Sequence, residues 1–151
     1  MKKLVLGICC CLLSFAAISQ VTTKEKIHRS TFIGLINAHT TNNEVLISWV
    51  ADDMEYDHIQ KYYTVFSGTP EEFTDYLNQI IEFADQYDKD ASVTILDWRI
   101  NVDRDLGAKQ LTIYEIDAVG GLGGYRQFTP GQIQKIKKKF TQWANKKGID
   151  I

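Results

Sequence analysis

Two short runs of β-branched, aromatic and apolar residues, Thr31 to Ala38 and Glu44 to Ala51, flank His39-Thr40-Thr41-Asn42-Asn43. Asparagine tolerates the left-handed backbone of a turn, so the pattern predicts a β-hairpin. The polar, acidic stretch Asp52 to Gln60 reads as a loop or a single helical turn, and Lys61 to Phe66 as a third strand. A helical period follows. Thr69-Pro70-Glu71-Glu72 carries a capping threonine, a proline at the first helical position and the glutamate of a capping box. Phe73, Tyr76, Leu77, Ile80, Ala84 and Tyr87 then recur on one face, opposite the acids Glu71, Asp75, Glu82 and Asp85.

The alternation returns in Ser92 to Val102 and Gln110 to Ala118, joined by Asp103-Arg104-Asp105-Leu106-Gly107, a second hairpin signal. Period two places Leu96, Trp98, Ile100 and Val102 on one face, with Thr112, Tyr114 and Ile116 on the same face of the partner strand, and that face is expected to be core. A glycine-rich loop, Gly120 to Gly124, leads to a short strand near Tyr125 to Phe128. The last helix opens with Thr129-Pro130-Gly131-Gln132, carries the stripe Ile133, Ile136, Phe140, Trp143 and Ala144, and ends by Gly148.

These elements define an α+β fold: an antiparallel sheet of five or six strands with two amphipathic helices packed on one face, in the order ββ(β)αβββα. The helices align at an offset of 60 residues, Thr69-Pro70 with Thr129-Pro130 and Ile80 with Phe140. The preceding strands do not match, and two amphipathic helices with the same cap share much of this by chance, so coincidence is the preferred reading over an internal repeat.

The chain of 151 residues opens with Met1-Lys2-Lys3, an apolar run from Leu4 to Ala17, and Ala17-Ile18-Ser19 before Gln20. That order is expected of a signal peptide over 1–19, cut after Ser19, and the run is shorter than the roughly 20 residues of a membrane-spanning helix. The expected address is therefore export, to the periplasm or the extracellular space, with no transmembrane anchor. A lipoprotein signal is the weaker reading, because Ile8, Cys9 and Cys10 stand where a small residue should precede an acylated cysteine. Residues 20–27 read as a flexible N-terminal tail and 28–151 as a single α+β domain. All 3 cysteines fall in the leader, leaving the remainder without disulfides or a thiol nucleophile. Lys2 and Lys3 are the leader's charges, so 17 − 2 = 15 basic residues face 19 acidic ones, a formal net charge of −4 that does not attract nucleic acid.

Against that acidic background Lys135, Lys137, Lys138, Lys139, Lys146 and Lys147 lie in a segment without an acid. Lys135, Lys138 and Lys139 are the candidate binding residues for an anionic glycan, a lipid head group or an acidic protein partner, beside the plainer role of a solvated face. Asp97 and Glu115 are the candidate catalytic carboxylates of a small hydrolase of envelope polymers, if an even register sets them side by side; Arg99 nearby suits an ordinary ion pair instead. Asp53, Glu55 and Asp57, with Asp52 and His58, form the densest set of metal ligands, but the glycine and closing glutamate of a calcium loop are missing. Gly120 to Gly124 lacks the lysine and spacing of a nucleotide loop, and no cofactor is expected. With no convincing catalytic set, a non-enzymatic exported binding module is the first reading. A carboxylate-pair hydrolase and a calcium-stabilised structural module are the alternatives.

Overall fold

A computed structural model describes residues 23–30, 34–41, 44–53, 59–116 and 119–151; residues 1–19, expected to be a signal peptide, lie outside them. Among these residues eight strands and two helices follow one another as β1 (Thr23–Ser30), β2 (Gly34–Thr41), β3 (Glu44–Asp53), β4 (Gln60–Gly68), α1 (Pro70–Gln86), β5 (Ala91–Ile95), β6 (Trp98–Asp105), β7 (Ala108–Ile116), β8 (Leu122–Phe128) and α2 (Pro130–Lys146). The α+β class, the antiparallel sheet and the two helices are as the sequence predicts. Among the described residues, no helix is long and apolar enough to cross a membrane.

The helices begin where their caps place them. Thr69 Oγ1 accepts from the Glu72 amide at 3.2 Å while Glu72 Oε2 accepts from the Thr69 amide at 2.8 Å. Thr129 and Gln132 repeat the exchange at 3.3 and 2.7 Å. Each box satisfies amides that a bare helix start would leave open. Phe73, Leu77 and Ile80 of α1 and Ile133, Ile136 and Phe140 of α2 are wholly buried, each such side chain contributing about 1.5–3 kcal/mol. Phe73 meets Phe140 edge-on at 4.8 Å, which locks the two helices together.

The sheet runs β1-β2-β3-β8-β7-β6-β5, with β4 on the other edge of β3. Strand β3 therefore serves two meanders. It pairs β2 through Glu44 to Trp49 and β4 through Val45 to Asp52, then meets β8 at Asp52↔Tyr125 and Asp53↔Gly124. Each 17-residue helix follows four antiparallel strands, so the described residues run ββββα twice. Trp49, wholly buried, touches Phe128 at 5.1 Å and Trp98 at 6.0 Å, joining the cores of the two halves.

Three expectations are corrected. The segment read as a loose tail to Ile27 enters the sheet at Thr23, because β1 pairs with β2 from Thr23↔Thr40 to Ser30↔Gly34. The single run Ser92 to Val102 is two strands folded about Leu96-Asp97, with Leu96 at φ 55° and 60% exposed rather than in the core. Strand β7 also turns its other face inward: Ile100 pairs with Ile113 and Val102 with Leu111, all buried, while Thr112 and Tyr114 lie on the opposite face. The buried pairs win because they bury more apolar area than threonine and tyrosine would.

Candidate functional site

Helix α2 and edge strand β1 bring together charged residues more than 100 positions apart in sequence. Burying Ile133, Ile136, Phe140 and Trp143 leaves the lysines at the rim of the helix. Strand β1 runs antiparallel to α2 beneath them. At one end of this contact Glu25 accepts from Trp143 Nε1 at 2.9 Å and pairs with Lys147, and these bonds, Lys147 first, hold its carboxyl below the usual range. At the other end the positive charges of Lys135 and Lys139 act on His28.

A β-bulge at Ile27 makes this possible. Glu25 pairs with Ala38 and His28 with Ile36, both core positions, so the extra residue brings Glu25 and His28 to the same face of β1 despite their odd separation. His28 is 9% exposed, and its Nε2 is buried with no hydrogen-bond partner among the described residues. Burial, then the charges of Lys135 and Lys139, depress its pKa. An anion bridging these three groups would accept a hydrogen bond from a protonated imidazole and relieve the repulsion at once.

The lysines divide into structural and available ones. Lys137 is turned to α1, where its Nζ donates to Asn78 Oδ1 at 2.5 Å, and Lys147 is engaged with Glu25. Lys135 and Lys138 are exposed, and half-buried Lys139 donates to Gln142 Oε1 at 3.2 Å, a bond within its own surface. The three candidate lysines thus remain at the helix surface, and the charges of two of them reach His28.

The other candidates are not brought together in the same way. Trp98 pairs with Glu115, so Asp97, in the turn before β6, is out of register with Glu115, while Arg99 pairs with Tyr114 on the opposite face. Asp53 is buried at 5% exposure, where it pairs with Lys61 and accepts from the Tyr63 hydroxyl at 3.4 Å. Burial, then the nearby Asp53 charge, raises the Tyr63 pKa. Asp52 accepts from Gln60 Nε2 at 2.9 Å. Glu55, Asp57 and His58 lie outside the described residues. Two of the glycines after Val119 serve close packing: a Cβ on Gly123 would stand 2.5 Å from Glu115 Oε2, and one on Gly124 would stand 2.4 Å from the Tyr63 ring.

His28 and the Asp53–Lys61–Tyr63 group carry no short-range motif. The bulge that turns His28 toward α2 has no signature in Lys24-Glu25-Lys26-Ile27-His28. No protein-family model and no curated sequence matches this chain.

Proposed function

We propose that this protein is a non-enzymatic exported binding module that captures an anionic group, a phosphate, sulfate or carboxylate, on the α2–β1 face. His28 carries the reading: its buried Nε2 has no partner among the described residues and the charges of Lys135 and Lys139 resist its protonation, so an anion would supply both the missing hydrogen-bond partner and the missing counter-charge. Lys138 extends the same rim. The off-register placement of Asp97 and Glu115 supports the binding reading over the hydrolase alternative. The route out of the cell rests on the leader sequence.

Melting curves against inorganic phosphate and a sulfated glycan test the proposal, since a ligand that binds only the native state raises the midpoint. The expected result is a concentration-dependent rise that grows as pH falls and His28 takes up a proton, and that disappears in the Lys135→Ala, Lys138→Ala, Lys139→Ala triple variant. A triple variant with the same rise as wild type would overturn it.

A further inference from the structure

A second site lies at the other end of the sheet, against α1. A groove of about 520 Å³ separates the N-terminal half of this helix from the turn between β5 and β6. That volume is within the roughly 300–1,000 Å³ of small-molecule sites. Phe66, Tyr76, Ile95 and Leu96 give it apolar walls, Glu72 and Asp75 stand along it, and no cationic side chain lines it among the described residues.

Tyr76 is the second, independent observation. It is 1% exposed, and its hydroxyl is buried with no partner among the described residues. A buried phenol oxygen has unused lone pairs, and leaving such a group unpaired is costly. Leu96 holds a left-handed backbone, φ 55°, in a side chain that is 60% exposed on the groove wall.

We propose that this groove binds a primary ammonium on an apolar stem, its N–H groups donating to the Tyr76 oxygen and its charge balanced by Glu72 and Asp75. One Glu72 oxygen is committed to the Thr69 amide at 2.8 Å, which fixes the carboxylate rather than removing its charge. The stem lies along Phe66, Ile95 and Leu96. This site is independent of the lysine face on α2 and carries the opposite charge.

The test is a titration followed by amide NMR shifts, with phenethylammonium as probe and 2-phenylethanol as its neutral counterpart. The ammonium is expected to shift Gln79, Thr94 and Leu96 and to bind about tenfold tighter than the alcohol, the factor that about 1.4 kcal/mol provides. Tyr76→Phe should weaken the ammonium several-fold. The double variant Glu72→Gln, Asp75→Asn should bring the two probes to similar affinity; glutamine still completes a capping box, so α1 keeps its start. Nα-acetyl-lysine amide run alongside tells a free amine from a lysine side chain by which binds tighter. Equal affinity for the alcohol and the ammonium in wild type, shifts confined to another surface, or variants indifferent to charge would each overturn the proposal.

Discussion

Replacing Tyr76 with phenylalanine removes one oxygen and leaves the ring in place against Phe66 and Phe73, whose centroids both lie 6.1 Å away. The apolar burial is therefore unchanged. What disappears is a hydroxyl with no partner among the described residues, whose burial costs about 1–3 kcal/mol. Burial also raises its pKa, so it stays neutral at ordinary pH and no charge enters the balance. The lower end of that range, about 1 kcal/mol, is the expected gain in stability. In urea, with a slope of about 1–3 kcal/mol per molar, the midpoint should rise by about 0.3–1 M with the slope unchanged. Equilibrium unfolding followed by tryptophan emission reads this directly. A midpoint that falls by the equivalent of more than about 0.5 kcal/mol would refute the reasoning, because it would mean that the hydroxyl is satisfied in the native protein. A variant that is more stable and binds the ammonium less well is the signature of a group kept for recognition.

His28 should make stability depend on pH near neutrality. Its folded pKa lies below the ordinary 6.5, so the unfolded chain binds the extra proton first and stability declines as pH falls through 6.5 toward the folded value. His28→Leu should flatten that decline, and a profile unchanged between pH 7.5 and 5 would show that the imidazole is not its source. Glu25 acts in a separate window: its lowered pKa contributes stability above 4.5 that is lost only as pH falls further. Gly124→Ala should cost about 1–3 kcal/mol, because its Cβ would strike the Tyr63 ring, and adding Tyr63→Ala should recover part of the packing strain. A fully stable Gly124→Ala protein would show that the ring moves freely.

Both helices were legible because cap, proline and apolar stripe agree at one place, and the two observed starts fall at Pro70 and Pro130. The turns were legible unequally. Leu106-Gly107 carries a glycine at φ 82°, and the sequence announces it; Leu96-Asp97 reverses the chain with no glycine at all, so the apolar run through it reads as one strand. Losing that turn, and with it the parity of β7, misplaced Asp97 relative to Glu115. The lysines on α2 were visible as a charge row. Their neighbour His28 was not, since its face is decided by a bulge and by strand pairing across the chain.

Among the described residues the two meanders share two backbone pairings, at Asp52 and Asp53 of β3. Hydrogen-bonded ladders alone would let either half open while the other stayed closed. Whatever makes the molecule melt as one unit must therefore be side-chain packing across the seam: the Phe73–Phe140 contact between helices, and above all Trp49, whose indole belongs to one half and rests on Phe128 and Trp98 of the other. In that sense cooperativity rests on a few ring contacts rather than on the ladder, and weakening the tryptophan would loosen the coupling between the halves.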